Sequence, residues 1–92
     1  MLITIKKEVE ETVEVKTPCW LVSRYGMYAH VTENGDLIMV SKGYVSFEDA
    51  DAPSTKRKIA EISQAYHSCT EMEFKEMLDK QLYRLEETYT KA

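Results

Sequence analysis

The stretch Thr70–Tyr89 reads as a long amphipathic helix, and that helix constrains how the rest of the chain can fold. Thr70 is a good N-cap and Glu73 follows three residues later, the spacing of a reciprocal capping box. Phe74, Met77, Leu78, Leu82, Leu85 and Tyr89 recur at helical spacing and make one apolar stripe. Glu71 and Lys75, Glu76 and Lys80, and Glu87 and Lys91 stand at i,i+4 with the acid first, the better orientation for a helix. About twenty residues make a rod of roughly 30 Å. A stripe of that length must be buried, and only the first half of the chain carries matching apolar area. Phe74, Leu78 and Leu82 are therefore expected in the core, facing the Ile3, Ile5 and Val13 side of a sheet.

That first half is patterned as β-structure. From Leu2 to Lys16, Ile3, Ile5, Val9, Val13 and Val15 alternate with Thr4, Lys6, Glu8, Glu10, Thr12, Glu14 and Lys16, a period of two with one buried and one wet face. Fifteen residues exceed an ordinary strand, so a bend or turn is expected near Glu10-Glu11. Pro18 breaks the ladder, Cys19–Val22 is a short apolar run, and Tyr25-Gly26 signals a turn. Met27–Thr32 and Leu37–Ser41 flank Asn34-Gly35, the strongest short hairpin signal. A two-residue type I′ loop there pairs Val31 with Ile38 and Ala29 with Val40 on one face. On the other face it pairs His30 with Met39 and Tyr28 with Ser41. Tyr44–Phe47 is a last short strand or an extended arm.

Residues 48–55 form an acidic connector. A first helix is expected over 54–68 with Ser54 as N-cap and Ile59, Ile62 and Tyr66 on its stripe, although a strand over 59–66 remains open. The long helix follows over 70–90. The sum is an α+β single domain, residues 1–92. Its β-rich part, 2–47, is an antiparallel meander of three to four strands, followed by two helices packed on one face of the sheet.

Composition narrows the function classes. With 43% hydrophobic and 30% charged residues the chain is globular, and no apolar run is long enough to cross a membrane. The opening Met-Leu-Ile-Thr-Ile-Lys-Lys places charge after the apolar residues, the reverse of a signal peptide, so a cytoplasmic location is expected. The net charge of −4 is mild and spread along the chain, which argues against nucleic acid as a partner. Cys19 and Cys69 lie fifty positions apart and read as free buried thiols.

No constellation announces a reaction. His67 and Cys69 form an H-x-C pair, but zinc ligands usually come as two close pairs, so no metal is expected. Neither cysteine has the local signature of a Cys–His nucleophile. The acids fall on wet faces, and three scattered glycines make no phosphate-cradling loop, so no cofactor and no enzymatic activity are expected. The aromatics of the β half offer more. If two helices take the Val31/Ile38 face, Tyr28, His30, Leu37 and Met39 are left as a patch for a protein partner. Lys56-Arg57-Lys58 could instead touch phosphate, with the sheet aromatics as a stacking platform for nucleic acid. The far end of the long helix outruns strands of ordinary length, which suggests a weak homodimer through Leu82, Leu85 and Tyr89.

The opening Ile-Thr-Ile-Lys-Lys-Glu-Val-Glu and the later Cys-Thr-Glu-Met-Glu-Phe-Lys-Glu-Met resemble small uncharacterised proteins of Bacteroidetes-type genomes. Those begin with such a strand and end in a helix introduced by Thr-x-x-Glu-Phe. The resemblance covers about a third of the chain. It implies no activity and no site residue, and it points toward an accessory protein of a mobile element or phage. The function expected from these observations is a small non-catalytic interaction or regulatory protein, the alternative being a nucleic-acid-binding module.

Overall fold

A computed structural model describes residues 1–5 and 11–91. In chain order its elements are β1 (Leu2–Ile5), β2 (Glu11–Glu14), β3 (Cys19–Val22), β4 (Tyr28–Val31), β5 (Leu37–Ser41), β6 (Tyr44–Glu48), α1 (Thr55–Ala65), β7 (His67–Ser68) and α2 (Glu71–Lys91). The architecture is α+β, with antiparallel strands and two helices in contact with them. β1 and β2 form a sheet of their own, and the other five strands lie in the order β6-β5-β4-β3-β7. The consecutive strands β3–β6 make an antiparallel meander of four strands, as expected, β7 adds a fifth on the β3 edge, and the strands of the Leu2–Lys16 alternation pair apart from it. Their register sets Ile3 opposite Val13. The bend expected near Glu10-Glu11 lies partly outside the described residues, as do Lys7 and Val9.

The β4–β5 turn decides which side chains share a face. Thr32 N–H bonds Asp36 O at 2.9 Å and Gly35 N–H bonds Thr32 O at 3.0 Å. Gly35 has φ +88°, while no described non-glycine residue has positive φ. A type I′ loop would need positive φ at Asn34 as well, so the loop has three residues with glycine in the left-handed position. The extra residue shifts the register by one. Val31 stands opposite Leu37, His30 opposite Ile38, Ala29 opposite Met39 and Tyr28 opposite Val40. The expected pairs of Val31 with Ile38 and His30 with Met39 are therefore not made, and every side chain of β5 changes face.

One face of the five-stranded sheet then carries Leu21, Ala29, Val31 and Leu37. These form a continuous buried cluster with Ile3 and Val15 from the first hairpin segment and Ile59, Ala60 and Ile62 of α1. Thr55 is buried at the start of α1, and its Oγ1 donates to Asp49 O at 2.6 Å. Ser54 occupies the N-cap position but makes no side-chain capping bond, so Thr55 anchors that end instead. The helix stops at Ala65, short of the expected residue 68. Tyr66 turns extended, and His67–Ser68 pair with Val22 and Leu21 as β7.

The opposite face carries Trp20, His30 and Val40, and α2 covers it. The helices therefore lie on opposite faces of the sheet rather than together on one. Alternation explains this: α1 claims the odd-numbered positions of β3 and β4, which leaves the even-numbered ones, among them Trp20 and His30, to α2. The start of α2 is as read from sequence. Glu73 N–H bonds Thr70 Oγ1 at 3.1 Å, and Thr70 N–H approaches Glu73 Oε1 at 3.4 Å.

Candidate interaction surface

The docking of α2 begins at an aromatic stack. The rings of Trp20 and His30 are parallel within 5° at a centroid separation of 4.8 Å, and Phe74 tilts against His30 at 5.6 Å. His30 Nδ1–H donates to Cys19 O at 2.9 Å, which fixes the ring in the plane of that stack. One turn beyond Leu78, the buried Gln81 accepts a hydrogen bond from Gly43 N–H at 2.6 Å. That bond fastens α2 to the β5–β6 turn, which is where the helix leaves the sheet. The ten residues from Leu82 to Lys91 extend about 15 Å farther, in a molecule 52 Å long and 24 by 23 Å across.

The apolar stripe does not stop where the sheet stops. Leu82 is 48% exposed, Leu85 66% and Tyr89 82%. The expectation that Leu82 belongs to the core is corrected accordingly. Phe74 is buried as expected, whereas Leu78 is only half-buried, and both belong to the β4–β5 face, because α1 already occupies the Ile3 side.

A second strip of exposed apolar side chains lies beside this overhang. β6 is the edge of the five-stranded sheet, and its Val45 and Phe47 are 44% and 62% exposed. They sit on the α2 side, in line with Val40 and Ile38. A cavity of about 370 Å³ opens between the start of β6 and the helix, with Val45 on one wall and Leu85 on the other. Sequence reasoning singled out the overhang but passed over Val45 and Phe47. The signal was present: Tyr44–Phe47 is the last strand before the helical half, and the last strand of a meander is an edge.

The four residues expected to form a patch are not brought together. Tyr28 and His30 lie on the α2 face, whereas Leu37 and Met39 point to the α1 face, and Leu37 is fully buried. The one-residue register shift is the cause. Of Lys56-Arg57-Lys58, Arg57 pairs with Glu61 at 3.4 Å and Lys58 with Glu48. The Glu48 carboxylate holds the Lys58 ammonium above its ordinary range. Burial raises the thiols of Cys19 and Cys69, and at Cys69 the Glu73 carboxylate adds to it. Both cysteines are unbonded to one another, and a raised thiol is a poor nucleophile. Among the described residues, no three of His, Cys, Asp and Glu gather as metal ligands, and no helix is long and apolar enough to cross a membrane. Comparison with protein-family models, curated proteins and solved structures gave no match.

Proposed function

We propose that the protein works by binding another protein, as a small non-catalytic interaction or regulatory module, and that the contact is made by the α2 overhang together with the β6 edge. The observation that carries this reading is the exposure of Leu82, Leu85 and Tyr89 on the overhang and of Val45 and Phe47 on the β6 edge, with Val45 and Leu85 lining one cavity between the two elements. A helix whose apolar stripe stays largely exposed from Leu82 to Tyr89 makes little use of that stripe within its own fold. Contiguous exposed apolar surface of this kind marks interaction sites. The likeness of the opening strand and the helix start to small proteins of Bacteroidetes-type genomes extends the proposal to an accessory role in a mobile element or phage.

The test is affinity capture from the source cell with the wild-type chain and with the double variant Leu85→Asp/Tyr89→Asp. Both side chains are exposed, so the variant keeps the fold, which circular dichroism verifies. The proposal expects a defined protein in stoichiometric amount with the wild type and its loss with the variant. Equal capture by both chains would refute it.

A further inference from the structure

We infer that β6 is a docking strand for a second copy of this chain, the two β6 edges pairing antiparallel about Ser46. The inference rests on the reading of this end of the molecule as a protein-binding surface and names the partner. The backbone supplies the first part of the argument. Ser41 stands opposite Tyr44 across the β5–β6 turn, and Met39 opposite Ser46. In that ladder Tyr44, Ser46 and Glu48 direct their N–H and C=O groups to β5, and Val45 and Phe47 direct theirs outward from the sheet. Five residues with no proline and no lysine inside the strand make an edge that lacks the usual protection against pairing.

The second part is self-complementarity. With Ser46 facing the partner's Ser46, Val45 pairs with the partner's Phe47 and Phe47 with the partner's Val45, each as a hydrogen-bonded pair. All four outward-facing backbone sites of each strand are then satisfied. The partner's Phe47 arrives beside Val45 on the α2 side, at the mouth of the cavity walled by Leu85, whose volume of about 370 Å³ admits a phenyl ring. Charge favours the same direction. Lys42 precedes β6, whereas Asp49 and Asp51 follow it, Glu48 being held by Lys58. Antiparallel pairing sets the basic end of one strand against the acidic end of the other, and parallel pairing would set like against like.

The strand edge, Phe47, Val45 and Leu85 bury on the order of 400 Å² per chain, about half of a standard interface. A weak, reversible dimer follows. The experiment is sedimentation equilibrium of the full chain from about 1 µM to 1 mM. The wild type is expected to rise from 10.7 kDa toward twice that mass. Val45→Pro removes an outward N–H that bonds nothing in β5, which an edge strand tolerates, and is expected to stay monomeric with unchanged circular dichroism. Should that variant misfold, Phe47→Lys replaces the apolar contact and is expected to weaken association at least tenfold. A wild-type chain that stays at 10.7 kDa throughout overturns the inference and leaves capture of a different protein intact. A dimer that survives both substitutions but is lost in Leu82→Asp/Tyr89→Asp also overturns it, in favour of helix-to-helix contact.

Discussion

The two faces of the five-stranded sheet are covered by helices of different habit. The α1 face is a continuous aliphatic layer, with Leu21, Ala29, Val31 and Leu37 of the sheet closed over by Ile59, Ala60 and Ile62. The α2 face is held at separated points, the Trp20–His30–Phe74 stack and the Gln81–Gly43 hydrogen bond, after which the helix runs on alone. A short helix of 11 residues is used up by its core, while one of 21 residues has a docked half and a free half. One element thus joins a docked segment to an exposed one, with Gln81 at the boundary between them.

The sharpest way to break this comparison is Phe74→Ala. Phe74 is the buried anchor of α2, and removing its ring forfeits both transfer energy and packing against His30. The expected loss is about 3–5 kcal/mol in urea unfolding. A loss under 1 kcal/mol would show that α2 is held elsewhere. Ile59→Ala on the other face is expected to cost about 2–4 kcal/mol, since Ile59 is fully buried in the α1 layer but has a smaller side chain to lose than Phe74. If the Ile59 variant lost much more than the Phe74 variant, stability would reside almost wholly in the α1 layer.

How far the fold could be read from the residues depends on how local each signal is. The capping box at Thr70 and Glu73, the hairpin at Asn34-Gly35 and the alternation of β1 and β2 are each decided within a few residues, and each was legible. The register of β4 against β5 was not. It hangs on whether Asn34 takes a positive φ, and Asn-Gly serves both two-residue and three-residue loops. One φ angle moved Leu37 and Met39 to the opposite face from Tyr28 and His30 and so dissolved the expected patch. The division of the faces between the helices is a tertiary choice, and periodicity within a helix does not state which layer it meets. β7 is two residues long, too short to leave a pattern. The overhang was legible because it needs only two lengths, that of the helix and that of a strand.

Gln81→Leu probes the boundary itself. The variant keeps the side-chain volume but removes the acceptor of the Gly43 N–H, which is exposed enough to recruit water instead. The expected cost is about 0.5–1.5 kcal/mol by chemical denaturation, with faster hydrogen exchange at the amides of residues 82–90. A cost without the change in exchange would mean that Gln81 stabilises the turn but does not hold the helix at its exit from the sheet.

The smallest effect is expected at the tip. Tyr89 is 82% exposed, so Tyr89→Ala removes little buried area, and alanine is the better helix former by a few tenths of a kcal/mol. The two terms nearly cancel, and the stability of the isolated chain should change by less than about 0.5 kcal/mol in either direction. The measurement belongs at two protein concentrations, one near 1 µM and one near 1 mM. At the low one a near-zero change shows that the free half of α2 contributes nothing to its own fold. At the high one, a destabilisation above 1 kcal/mol that vanishes on dilution would place Tyr89 inside an interface between copies. A loss of that size at both concentrations would instead mean that the tip is packed within the single chain, and the contrast between a docked and a free half of α2 would fail.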